Sequence, residues 1–274
     1  MKAAIEEILL PSVQPLKVFA NACKGFTCFA CLLAPLHAKA DTKSPSTVSY
    51  TLGTGENYRP FTDKSHPEGG MAVAVVKAAY KAIGVSANVT WTSWKRAESQ
   101  AETGKMAAIF PYMTTSERAK KFVFSHPIYT MRSYFFVRAK DNFKSGSEDF
   151  LKGKRLCRPT GYGNEAAVQK LLDAGTITMI SALTQESCFR LLSHNRADLV
   201  VESEVVAHET LSGLSGVKTD ITHLPDAIAS VDLGLMAAKD KKTGTEAIAD
   251  FNRGLKKIQS DGTYRQILTK FGLP

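Results

Sequence analysis

Short apolar or β-branched runs alternate with helical segments along nearly the whole chain beyond residue 47. This alternation limits the possible folds more than any other feature of the sequence. Runs 48–53, 88–92, 106–110, 155–158, 176–181 and 197–201 read as strands. Segments 71–83, 94–102, 187–194, 205–211 and 244–258 carry helical spacing, with Gly84 and Gly104 placed to end the first two. Strands alternating with helices predict an α/β architecture. Two extended runs, 132–140 and 230–238, break the rhythm and read as crossovers between halves of the molecule. The polar stretch 141–147 reads as a linker. No apolar run in the body of the chain approaches the length of a membrane span.

One stretch, 107–129, reads AAIFPYMTTSERAKKFVFSHPIY. The run 107–110 predicts a buried strand, and Pro111 is expected to end it. Thr114 and Glu117 have capping-box spacing and predict a short helix opening near Ser116. Arg118 then falls in the first helical turn, where the helix dipole gives a cation no advantage. A guanidinium at a strand-to-helix junction is suited to gripping a carboxylate in a bidentate way. The plainer reading is a solvated surface arginine. The turn 160–163, Thr-Gly-Tyr-Gly between a strand and a helix, is a candidate anion site because free N–H groups point outward there. Tyr58 and Phe61 follow the first strand, where open α/β sheets place ligands; core packing is the alternative. Trp94 and Arg96 open the helix 94–102, with Ser93 as its expected cap.

The pattern P-Y-x-T-x-x-E-R-A followed by F-x-F-S-x-P-I resembles the signature of the family 3 bacterial extracellular solute-binding proteins. The string N-R-A-D-L-V-V resembles the family's G-R-x-D-A-x-x. The C-terminal F-N-R-G-L-K-K-I-Q-S-D-G-T-Y-R-Q-I-L resembles its closing signature. The resemblance covers nearly all of the chain after residue 47. It implies the two-lobed, type II periplasmic-binding-protein-like α/β fold, with a ligand cleft between the lobes. Lobe 1 would comprise 48–138 plus 229–274, and lobe 2 would comprise 142–226. The implied function is that of a periplasmic substrate-binding protein of an ABC transporter. Its ligand would be an amino acid or related small carboxylate, and its partner an inner-membrane permease. It implies a monomer, no cofactor, no metal and no catalysis.

The candidate ligand-binding set is Tyr58, Phe61, Trp94, Arg96, Tyr112, Arg118, Thr160, Gly161, Tyr162, Gly163, Glu202 and Ser203. Arg118 matches the family arginine that binds the ligand's α-carboxylate. Many members carry an Asp, five residues after the motif Asp, that pairs with the α-ammonium. Here that position is Ser203, flanked by Glu202 and Glu204. Alternate side chains leave a strand on opposite faces, so Glu202 substitutes only if the strand end is irregular.

The run 25–36, GFTCFACLLAPL, is apolar; Lys17 and Lys24 precede it, and Ala38-Lys39-Ala40 follows. This order predicts a secretory signal peptide over 1–40, cleaved after Ala40, and so a periplasmic protein. None of Cys23, Cys28 and Cys31 has the Leu three residues earlier that a lipoprotein signal uses. Cleavage leaves two of the five cysteines, Cys157 and Cys188. Two cysteines in an exported chain predict a disulfide, with two separate buried thiols as the alternative. Residues 41–47 read as a flexible leader.

The formal net charge is +9, and residues 1–40 hold four Lys and two Glu; the mature chain is therefore moderately basic, which suits anionic ligands or simply solubility. No arginine-rich tract or aromatic stacking motif points to nucleic acid. His66, His126, His194, His208 and His223 lack zinc-ligand spacing. The resemblance also takes in periplasmic dehydratases of small cyclic carboxylic acids, for which Glu202, Glu204 and His194 would be the proton-transfer candidates. A sensor reading would call for a membrane segment and a signalling domain.

Overall fold

A computed structural model describes residues 48–141, 148–215, 217 and 221–274. The expected export signal, the leader 41–47 and all but Asp141 of the expected linker lie outside these residues. Among the described residues no helix is long and apolar enough to cross a membrane.

The elements follow in the order β1 (Ser49–Thr54), α1 (Met71–Ala82), β2 (Ser86–Trp91), α2 (Trp94–Glu102), β3 (Ala108–Met113), α3 (Ser116–Lys121), β4 (Phe122–Phe124) and β5 (Tyr129–Arg138). Then come α4 (Glu148–Leu151), β6 (Lys154–Pro159), α5 (Ala166–Asp173), β7 (Ile177–Ala182), α6 (Gln185–Ser193), β8 (Leu199–Ser203) and α7 (Glu204–Ser212). The chain closes with β9 (Ile221–His223), β10 (Ala229–Ala238), α8 (Lys242–Ser260) and α9 (Thr263–Lys270).

The strands form one sheet in the order β2-β1-β3-β10-β5-β8-β6-β7, with β4 beside β10 and β9 beside β5. Strands β2, β1 and β3 are parallel, as are β7, β6 and β8. The two triplets are joined through β5 and β10, which are antiparallel to each other. Residues 129–133 of β5 pair with β10, while 133–136 pair with β8. Each long strand therefore leaves its partner halfway along and enters its own triplet. From Ser133 to Arg138 both faces of β5 are buried. Tyr134 and Phe136 pack with Cys157, Phe189 and Val200, whereas Phe135 and Val137 pack with Leu156, Ile177 and Val201. This is why 134–137 reads as continuous apolar sequence rather than alternation.

Two local expectations need correction. Strand β3 does not stop at Pro111 but runs on to Met113. The register against β10 shifts between Gly234 and Met236. Pro111, which has no N–H to donate, lies opposite that irregularity, where a proline is tolerated. The cap of α3 is Thr115 rather than Thr114: its hydroxyl accepts from the Arg118 N–H at 3.2 Å.

Cys157 and Cys188 form the expected disulfide, with Cα atoms 5.4 Å apart, and pin α6 to β6. Closing a loop of 31 residues stabilises by about 3–4 kcal/mol in the chain-entropy model. Asp198 of the N-R-A-D motif is structural. It accepts from the Arg155 backbone N–H at 3.0 Å and from Arg155 Nε at 2.8 Å. Those bonds hold its pKa down at about 2.

Gly254 shows why the C-terminal signature contains a glycine. A Cβ there would overlap the carbonyl oxygen of Ala79 on α1 and stand 2.5 Å from that residue's carbonyl carbon. The obstacle is backbone, which cannot swing aside. Gly254→Ala should therefore destabilise by about 1–3 kcal/mol, even though alanine is intrinsically the better helix former by about 1 kcal/mol. Urea denaturation checks this; an unchanged or higher midpoint would show that the helices separate at no cost.

Candidate functional site

A cavity of about 50 Å³ lies between the ends of β3 and β8, the loop after β1, and the turn joining β6 to α5. Its floor is apolar, formed by Met113, Met131, Val231 and Leu233. Its walls are aromatic. Tyr58 is held by paired backbone bonds with Thr62 at 3.0 and 2.8 Å. Its ring meets those of Trp94 and Tyr162 edge-on, with centroids 6.0 and 5.5 Å away. Burial pushes the phenols of Tyr58 and Tyr162 well above 10, and the Glu202 carboxylate pushes them further.

Arg118 is 8 % exposed. Its Nη2 donates to Glu98 Oε2 and to the Gly161 carbonyl, each at 3.0 Å. Its Nε donates to the same Glu98 oxygen at 3.3 Å, and its Nη1 to the Met113 carbonyl at 3.3 Å. The guanidinium also lies over the Tyr112 ring, 4.7 Å from the centroid. Glu98 thus holds the Nε side of the fork. The Nη1–Nη2 edge faces main-chain carbonyls, one of them from the opposite wall. Arg118 is therefore not a solvated surface residue.

A second guanidinium, Arg158, comes from the end of β6. Its Nη2 pairs with Glu165 at 2.6 Å and also donates to the Gly163 carbonyl at 2.6 Å, while Nη1 donates to the Val201 carbonyl at 2.7 Å. The 160–163 turn is thus held by its carbonyls, Gly161 on Arg118 and Gly163 on Arg158. Its glycines permit close approach. A Cβ on Gly163 would stand 2.8 Å from Thr115 Cγ2 and 3.0 Å from Arg118 Nη1.

Glu202 completes the ring. It is 3 % exposed. Its Oε1 accepts from the Ser203 N–H at 2.9 Å, and its Oε2 is buried with no partner among the described residues. Burial, the largest influence, raises its pKa to about 7; Arg158 and the Ser203 N–H pull downward, and Glu165 pushes upward. Both guanidiniums already face glutamates, so Glu202 is the carboxylate of the cavity that lacks a cation.

Eight of the twelve residues singled out from sequence line this cavity: Tyr58, Trp94, Tyr112, Arg118, Gly161, Tyr162, Gly163 and Glu202. Phe61 is fully buried behind Tyr58, with centroids 5.3 Å apart. Ser203 points elsewhere: its hydroxyl caps α7 by accepting from the Val206 N–H at 3.3 Å. Thr160 and Arg96 line an adjacent groove instead. Glu204 and His223 pair outside the cavity at 3.1 Å, and His194 is exposed. Neither Glu204 nor His194 joins Glu202. Sequence reasoning missed Arg158, Glu165 and Glu98. Arg158 and Glu165 sit seven positions apart across a glycine turn, a spacing that no regular element makes meaningful. Among the described residues no three His, Cys, Asp or Glu side chains are grouped to hold a metal ion.

The family model of the bacterial extracellular solute-binding proteins, family 3, matches residues 50–274. The chain belongs to this family. A probable histidine-binding protein of Campylobacter jejuni is 22% identical over 260 residues, covering 94% of this chain and 98% of that one. The lysine/arginine/ornithine-binding periplasmic protein of Escherichia coli is 23% identical over 254 residues, covering 88% and 94%. Among solved structures, the ancestral amino acid-binding protein AncCDT-1, a precursor of cyclohexadienyl dehydratase, aligns with a TM-score of 0.65 at 24% identity. It covers 81% of this chain and 95% of its own. The fold of this family 3 member is the two-lobed type II periplasmic-binding-protein fold, and its role is solute binding.

Proposed function

We propose that this family 3 protein is the periplasmic receptor of an ABC transporter and binds an amino acid or a related small carboxylate. The observation that carries the reading is the cavity itself. Arg118 and the 160–163 turn face each other across it, and a cation-seeking Glu202 closes the third side. The ligand's carboxylate would take the Nη1–Nη2 edge of Arg118, displacing the Gly161 carbonyl, and its ammonium would meet Glu202. Lobe 1 would be 48–138 plus 229–274 and lobe 2 would be 142–226, with the two hinge crossovers near 136–140 and 227–233. The Gly161 carbonyl already reaches Arg118 across the cavity at 3.0 Å, so ligand entry would require the lobes to part. Ligand that touches both lobes favours the closed form by its differential affinity for it. The closed monomer would then dock on an inner-membrane permease. Residues 1–40 would direct export and be cleaved off after Ala40.

Thermal shift of the 41–274 protein against amino acids, amines and small carboxylates tests the reading. Ligand at about one hundred times its Kd should add roughly 2.7 kcal/mol of stability. If no amino acid shifts the melting curve, or if a bound ligand is converted to product, the proposal fails.

A further inference from the structure

Beside the cavity lies a wider groove of about 730 Å³. The first turn of α2, with Lys95 and Arg96, forms one wall; Thr160 and residues 183–185 at the head of α6 form the other. Trp94 and Tyr162 line both the cavity and the groove. Their rings meet edge-on with centroids 6.1 Å apart. Trp94 and Tyr162 therefore form the partition between the cavity and the groove.

The groove has the chemistry of an anion site. Lys95 and Arg96 are exposed, and neither is in an ion pair among the described residues. Ser93, the N-cap of α2, makes no side-chain cap bond, so N–H groups of that first turn remain available and the positive end of the helix dipole is not offset. Gln185 opens α6 and is 2 % exposed, and both of its amide atoms are buried with no partner among the described residues. An amide in that state carries a desolvation cost that a ligand hydrogen bond would relieve. The acidic residue of the groove, Glu56, is already paired with Lys64 at 3.4 Å.

We infer that the groove is a side-chain subsite selecting an amino acid whose side chain ends in a carboxylate. This rests on the binding reading above. With the α-carboxylate on Arg118 and the α-amine on Glu202, the side chain runs past Trp94 and Tyr162 toward Lys95, Arg96 and the Gln185 amide. A ligand with a cationic side chain would instead meet two unpaired like charges.

Calorimetry with L-α-aminoadipate, L-glutamate and L-lysine on the 41–274 protein tests the inference. Wild type should bind L-α-aminoadipate at least about tenfold more tightly than L-lysine, as one productive charge contact predicts. The Lys95→Glu/Arg96→Glu double variant changes two exposed side chains and should fold normally. It should reverse that preference while leaving L-alanine binding unchanged. Gln185→Met should weaken L-α-aminoadipate and spare L-alanine. A wild type that prefers L-lysine, or a preference that the double variant leaves unchanged, overturns the subsite and leaves the receptor reading standing. Binding of none of these amino acids, nor of any other, overturns both.

Discussion

Arg118→Ala should reduce affinity for a carboxylate-bearing amino acid by about thirty-fold to several thousand-fold. The range follows from the roughly 2–5 kcal/mol typical of removing one partner of a buried charge pair. A ligand carboxylate closed into this cavity would lose the guanidinium edge it takes by displacing the Gly161 carbonyl, while Arg158 is committed to Glu165, Gly163 and Val201. The folded state should lose much less. Glu98 has a side chain 31 % exposed and can rehydrate when its partner goes, so its desolvation cost stays small. Arg118→Lys should not restore binding, since an ammonium cannot serve Glu98 and a ligand carboxylate at once in the way the planar fork does. Calorimetry, with far-UV circular dichroism as the folding control, decides the matter. Near-normal affinity in a folded Arg118→Ala protein would mean that the contacts of Arg118 to Glu98, Met113 and Gly161 are its whole role.

The family motif brings Arg118 to notice, but its arrangement depends on contacts invisible in sequence. Its nearest carboxylate, Glu98, lies 20 positions away on α2, and the carbonyl it holds across the cavity lies 43 away. Neither separation corresponds to a helical or strand period. The strands and helices were readable because period and composition act locally; β5 and β10 stood out as long extended runs for the same reason. Their halfway exchange of partners was not readable, because it depends on register between segments a hundred residues apart. The continuation of β3 through Pro111 is not legible in sequence, because the irregularity that tolerates a proline is supplied by β10. Glu202 and Ser203 illustrate the same limit. Strand alternation correctly puts them on opposite faces. Only the start of α7 reveals that Ser203 is consumed as a cap and that Glu202 is the one facing the cavity.

Without ligand, wild-type stability should fall as pH rises from about 5 to 8, relative to Glu202→Gln. The carboxyl of Glu202 has an ordinary value of 4.5 in the unfolded chain and about 7 in the folded one. Between those values the folded state binds the proton and the unfolded state does not, so raising the pH favours unfolding. The stability difference should be near its full size above pH 7 and vanish below about 4.5, reaching an order of 3 kcal/mol. The cause is burial among Tyr58, Tyr162 and Glu165, against which Arg158 and the Ser203 N–H compensate only partly. Glutamine has the same shape and no charge to desolvate, so the variant should be the more stable protein at pH 8 and about equal at pH 5. Melting temperatures of both proteins across this range measure the effect; a constant offset would show that Glu202 does not titrate there. An ammonium-bearing ligand should reverse the trend, because it pairs with the carboxylate and stabilises the charged form. Binding below pH 7 should then release a proton from Glu202. Calorimetry in buffers of different ionisation enthalpy should detect that proton in wild type, and Glu202→Gln should bind more weakly without releasing it.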